Sequence, residues 1–194
     1  MAAGKKKYRV LVAGSGDKIF DFIAEMLPRS GYEPVLRATD AGQVRRMMLD
    51  APADLVIINT PLPDEFGVEL ALDLAEGTTG VLLLVKSEVY DQVCDKVEDS
   101  GVFTIGKPMT RQSFYSAVKL LTAMTARLSK MEKQNRTLQE KMADIRVVNR
   151  AKWLLIQRHR MTEEDAHYFI EKQAMDTRLS RREVAENIIR TYDL

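Results

Sequence analysis

Cysteine is nearly missing from this chain, and its scarcity narrows what the protein can be. One cysteine, Cys94, among 194 residues cannot build a disulfide framework or a cysteine-based zinc site, and it suits a reducing compartment. Its thiol reads as a small buried or half-buried core group. Histidine is almost as scarce. His159 and His167 are the only two, too few and without the carboxylate motif that a metal centre needs. Long hydrophobic runs are lacking too: no stretch approaches a membrane span. The apolar segment behind the basic start MAAGKKK is too short for a signal sequence and is strand-like instead. A cytoplasmic protein with no membrane partner is expected. The GSG of residues 14–16 is unaccompanied by a dinucleotide fingerprint or a Walker sequence, so it reads as a tight turn and no cofactor is expected. Neither a nucleophile with its base nor a metal set is found, so no catalytic residue and no enzyme activity is expected.

What is present is an ordinary globular composition with unevenly placed charge. A hydrophobic fraction of 45% is enough for a real core. Residues 1–120 carry 14 Lys and Arg against 17 Asp and Glu, whereas residues 127–160 carry 10 against 3. A basic stripe of that kind contacts polyanions or forms a solvated helix face.

Along the first 110 or so residues, strand-like and helix-like patterns alternate. YRVLVA, EPVLRA, DLVIIN, VLLLV and VFTI read as strands. DKIFDFIAEMLPRSG between the first two has helical spacing at Ile19, Phe22, Ile23, Met26 and Leu27, with Gly31 as its stop. Five βα units imply an α/β fold with a doubly wound parallel sheet. The third strand, Leu55 to Ile58, is apolar throughout, as a strand covered on both faces is. It ends on Asn59, and the carboxyl end of such a strand is where chemistry collects.

From Phe114 the pattern changes. Leu121, Met124, Leu128, Met131, Asn135, Leu138, Met142 and Ile145 follow three-four spacing without an intervening Gly or Pro. These are the a and d positions of a left-handed coiled coil, and Phe114 and Ala117 extend the register backwards. Asn135 falls at an a position, where it selects register and a two-stranded parallel state. Arg127 and Glu132, at g and the following e, can pair across such a dimer, while Lys141 and Arg146 repel. The alternative is a long helix folding back on its own domain.

Beyond Ile145 lie two helix starts. Thr162 with Asp165, and Ser180 with Glu183, have capping-box spacing. Apolar residues recur at Ala166, Phe169, Ile170 and Ala174, and at Val184, Ala185, Ile188 and Ile189. With the end of the coil they predict a small C-terminal three-helix bundle. The expected domains are 1–112, 113–145 as the coiled-coil linker helix, and 146–194.

Residues 8 to about 120 resemble a response-regulator receiver domain of flavodoxin-like fold. The resemblance rests on the five βα units, on DLVIINTPLPDEFGVEL as strand, loop and helix, and on Lys107 before Pro108. In that family an acidic pair holds Mg²⁺, an aspartate accepts a phosphoryl group and a Thr or Ser ends the fourth strand. Here Ala13 and Gly14 stand for the acidic pair, Asn59 for the acceptor and Val85 for the hydroxyl residue, leaving only Lys107. An amide lacks the charge and nucleophilicity of a carboxylate, so a pseudo-receiver that takes neither Mg²⁺ nor phosphoryl groups is expected. Asp17, Asp64 and Ser87 are the residues that could substitute from shifted positions.

The tail resembles an ANTAR domain, the module of AmiR- and NasR-type transcription antitermination regulators. Its carriers are RAK at 150–152, MTEEDAHYFI, QAM at 173–175 and LSRREVAENII. The resemblance implies binding of paired RNA hairpins in nascent leader transcripts by a parallel homodimer, two-component-style regulation, and control by a ligand-sensing partner protein. Stem phosphates call for cations and splayed loop bases for stacking or hydrogen-bonding groups, which selects Arg150, Lys152, Arg158, Arg160, His167, Arg181 and Arg182, with Tyr168 either a base contact or core. Ala151, Ala166, Ala174 and Ala185 fit the family's alanine pattern and read as close helix packing. Trp153 stands where the family commonly has Gly. The competing readings are a DNA-binding response-regulator-like transcription factor and a dimeric protein-interaction adaptor.

Overall fold

The computed structural model describes residues 6–192, which divide into two units that meet between residues 130 and 131. In the first, five parallel strands, β1 (Tyr8–Ala13), β2 (Tyr32–Ala38), β3 (Leu55–Asn59), β4 (Gly80–Lys86) and β5 (Phe103–Lys107), lie in the order β2-β1-β3-β4-β5. The helices between them are α1 (Asp17–Met26), α2 (Ala41–Asp50), α3 (Val68–Ala75) and α4 (Tyr90–Val97). A fifth, α5, runs without a break from Arg111 to His159. The doubly wound sheet is as expected.

Strand periodicity sends successive side chains to opposite faces. Leu11, Ala13, Val56, Ile58, Leu83 and Val85 pack with Val44 of α2, Leu70 of α3 and Val93 of α4. Their neighbours Val10, Val12, Leu55, Ile57, Leu82 and Leu84 pack with Ile23 of α1 and with Phe114, Val118 and Leu121 of α5. The central strands are covered on both sides, which is why they are apolar throughout. Pro34, which cannot donate to a ladder, sits on the edge strand β2.

Two details differ from the sequence reading. Helix α1 stops at Met26, not near Gly31, because the residue before Pro28 is driven out of the helical region; Leu27 is extended at φ −92°, ψ 111°. The second concerns α5. Phe114 and Leu121, placed on the coil seam by their spacing, are buried against the sheet. Three-four spacing describes one apolar stripe, and the sheet takes the first part of it. Tyr32 Oη lies 3.2 Å from Thr122 Oγ1, joining α5 to the edge strand. The stripe emerges at Met124, Leu128, Met131, Leu138, Met142 and Ile145, all exposed in the single chain.

The second unit is a three-helix bundle made by the end of α5, α6 (Glu163–Thr177) and α7 (Arg181–Tyr192). Thr162 and Asp165 form a reciprocal capping box at the start of α6. Ser180 and Glu183 do the same for α7, Ser180 N–H donating to Glu183 at 2.7 Å and Glu183 N–H to Ser180 Oγ at 3.2 Å. Ala151, Leu155, Ala166, Ile170, Val184, Ala185 and Ile188 form the core. Three alanines of the family pattern, at 151, 166 and 185, are fully buried and let the helices approach closely. Among the described residues no helix is long and apolar enough to cross a membrane.

Candidate nucleic-acid interface and receiver-like pocket

The carboxyl ends of β1, β3 and β5 bring Gly14, Asn59 and Lys107 together. A Cβ on Gly14 would lie 3.2 Å from that of Asn59. Lys107 Nζ donates to Asn59 Oδ1 at 2.8 Å and to the Thr60 carbonyl at 2.8 Å. Burial, and then nearby Lys86, hold the Lys107 ammonium below the ordinary lysine range. Ala13 and Val85 face the core and offer the pocket no oxygen.

The residues able to substitute are engaged elsewhere. Asp17 pairs with Arg37. Asp64 accepts from the N–H groups of Ala41 and Gly42 at 2.9 and 3.0 Å, and these bonds hold its carboxyl below the usual range. It caps α2, whose N-terminus welcomes a negative charge. Ser87 Oγ donates to the Lys107 carbonyl at 2.7 Å. A hard cation needs several carboxylate oxygens, and among the described residues no group of three or more His, Cys, Asp or Glu is placed to hold a metal. The pocket's residues do not fit Mg²⁺ with a phosphoryl group.

In the C-terminal unit a groove of about 600 Å³ is lined by Lys141, Asp144, Ile145, Val148, Asn149 and Lys152 of α5, by His167 of α6 and by residues 180–182. Four of the seven predicted contacts, Lys152, His167, Arg181 and Arg182, meet there. Each has an acidic neighbour. Lys152 donates to Glu163 at 2.6 Å with its side chain 16% exposed, and this bond holds the Glu163 carboxyl below the glutamate range. Lys152 thus joins α5 to α6 as well as lining the groove. Glu171 lies 3.0 Å from Arg181 and 3.4 Å from His167. Arg182 lies between Asp144 and Glu186, 2.8 Å from each.

The other three predicted cations lie apart from the groove. Arg150 lines a second cleft with Arg146, Val147, Glu186, Ile189 and Arg190. Arg158 and Arg160 close α5, where both are exposed and Arg160 adopts a left-handed φ of 55°. Trp153 and Tyr168 are 55% and 64% exposed, which places Tyr168 on the surface and leaves two aromatic faces for stacking. Sequence reasoning passed over Ile145 and Val148 as groove lining, Lys141 as a cation of the groove, and Arg146 and Arg190 as cations of the second cleft. The excess of 10 basic over 3 acidic residues between 127 and 160 was the signal that pointed to Lys141 and Arg146, while Arg190 lies beyond that stretch.

Comparison with known proteins supports both halves. Residues 136–189 match the ANTAR domain. The chain is 29% identical over 184 residues to the transcriptional regulatory protein PdtaR of Mycobacterium tuberculosis H37Rv, covering 94% of this chain and 90% of that one. It is 28% identical to the aliphatic amidase regulator of Pseudomonas aeruginosa over 72% of each chain. In fold it resembles a response regulator from Chloroflexus aurantiacus (TM-score 0.54, 21% identity, 61% of this chain and 99% of that one). It also resembles a CheY-like receiver domain protein from Methanospirillum hungatei (TM-score 0.56, 19% identity, 63% and 98%). A receiver-like sheet domain followed by an ANTAR domain defines a class of transcription regulator. The chain carries an ANTAR domain and is similar along most of its length to transcription regulators of the ANTAR type, and the strand ends of its receiver-like domain present Asn59 and Lys107.

Proposed function

We propose that this protein binds paired hairpins in leader transcripts as a parallel homodimer, without phosphorylation, under the control of a ligand-sensing protein that grips the receiver-like domain. The observation that carries the reading is the groove of the ANTAR domain, where Lys141, Lys152, Arg181 and Arg182 line a cleft with the apolar Val148, beside the seam residue Ile145. Cations suit stem phosphates, and an apolar floor beside Asn149 and His167 suits an unstacked loop base. RNA phosphates compete for arginines whose present partners are exposed carboxylates, and exposed pairs of that kind are weak. The exposed stripe from Met124 to Ile145 supports the dimer, because an unpartnered apolar seam of this length is covered in a coiled coil. Two linked copies of the groove gain avidity on a two-hairpin target.

Phosphorylation-independence rests on Asn59, whose amide oxygen already accepts from Lys107. The test is recovery of bound RNA from a fragmented transcript pool with the intact protein and with Arg158→Ala/Arg160→Ala/Arg181→Ala/Arg182→Ala. The expected result is enrichment of paired hairpins beside terminators, lost in the variant and unaltered by a small phosphoryl donor. Equal recovery of duplex DNA, or recovery that the variant leaves intact, counts against the RNA reading.

A further inference from the structure

The end of the coil carries a charge pattern that a dimer cannot satisfy from its own residues. In the register set by Met142 and Ile145, Lys141 falls at g and Arg146 at the following e. In a parallel two-stranded coil these are the positions that face each other across the seam. Lys141 of one copy then meets the partner's Arg146, twice by symmetry. Both side chains are exposed, and neither has an ion pair among the described residues. Asp144, which lines the groove with Lys141, and Glu186, which lines the second cleft with Arg146, are both held by Arg182 at 2.8 Å.

The two residues also rim different clefts. Lys141 belongs to the groove with Arg181 and Arg182, whereas Arg146 belongs to the cleft with Val147 and Arg190 on the other side of α5. The seam between these clefts is open: Met142 and Ile145 are 61% and 59% exposed. Joining two copies along it sets the groove of one beside the second cleft of the other. We infer that dimerisation builds a composite phosphate site from Lys141, Arg181 and Arg182 of one protomer and Arg146 and Arg190 of its partner, and that RNA phosphodiesters bound there relieve the repulsion that opposes the dimer. RNA binding and dimerisation are thereby one linked equilibrium: a ligand that binds only the assembled site tightens the assembly. The inference rests on the RNA-binding dimer proposed above and adds a named place where the two events meet.

Sedimentation equilibrium of the full chain tests it, with no addition, with a short RNA hairpin, and with inorganic polyphosphate as a phosphate polymer lacking bases. Either polyanion is expected to tighten the wild-type dimer about tenfold or more at low salt. Lys141→Glu sets a carboxylate against the partner's Arg146 and is expected to tighten the dimer about tenfold with nothing added, then to gain little from polyphosphate. Lys141→Gln should fall between. Lys141→Glu/Arg146→Glu restores like charges and should weaken the dimer again. These positions are exposed, so an unchanged far-ultraviolet circular dichroism spectrum is expected for each variant. A wild-type dimer indifferent to both polyanions, or a Lys141→Glu dimer no tighter than wild type, overturns the inference. Tightening by polyphosphate with no binding of any RNA keeps the composite site and removes the RNA reading instead.

Discussion

Single residues decide how the two ends of the sheet are used. At one end, Asn59 and Lys107 satisfy each other where a receiver would hold charge. At the other, Gly80 begins β4 directly under α5. A Cβ there would lie 2.5 Å from Thr125 Oγ1, 2.7 Å from Leu55 Cδ2 and 2.9 Å from Leu121 Cγ. Such contacts force either the strand or the helix to move, and overpacking of this kind costs about 1–3 kcal/mol. Gly80→Ala is therefore expected to lower the stability of the sheet domain by that amount in urea unfolding, with no loss from a remote surface control such as Lys18→Ala.

At the scale of elements, the ANTAR bundle is held by short polar links around a small core. Two capping boxes start α6 and α7. Lys152 ties α5 to the first turn of α6 through Glu163, and Glu183 is engaged by Ser180. Both glutamates are held below their ordinary range, Glu163 by the Lys152 hydrogen bond and Glu183 by those of Ser180. A carboxyl lowered on folding stabilises above its unfolded value and loses that contribution as pH falls through the lowered one. The bundle is thus expected to weaken as pH drops from the ordinary glutamate range through these lower values. Denaturant midpoints measured across that window should fall less for Lys152→Met than for wild type, since Glu163 then loses the main cause of its lowering.

At the scale of the whole molecule, α5 serves two partners in succession along one stripe. Its first turns, through Leu121, belong to the sheet, and its exposed stripe from Met124 onward belongs in the proposed reading to a second copy. Placing charge on that stripe should separate the copies while sparing the sheet. Leu128→Asp/Leu138→Asp is expected to sediment as a folded monomer and to lose about a hundredfold or more in affinity for a paired-hairpin RNA, the avidity contributed by linkage.

Much of this was legible in the chain itself. Local rules pointed to the five strands, the capping boxes at Thr162 and Ser180 and the apolar faces of α1, α5, α6 and α7, because periodicity and capping depend on neighbours a few residues apart. That β3 ends on Asn59, where the receiver resemblance calls for an aspartate, was equally plain. Only the tertiary structure decided that Leu121 faces a sheet, that Asp64 caps α2 and cannot serve the pocket, and that Lys152, His167, Arg181 and Arg182 share one groove while Arg150 lines another. The physical reason is common to all of these. An apolar stripe or a charged side chain announces that it needs a partner, but which partner it meets is set by contacts between residues far apart in the chain.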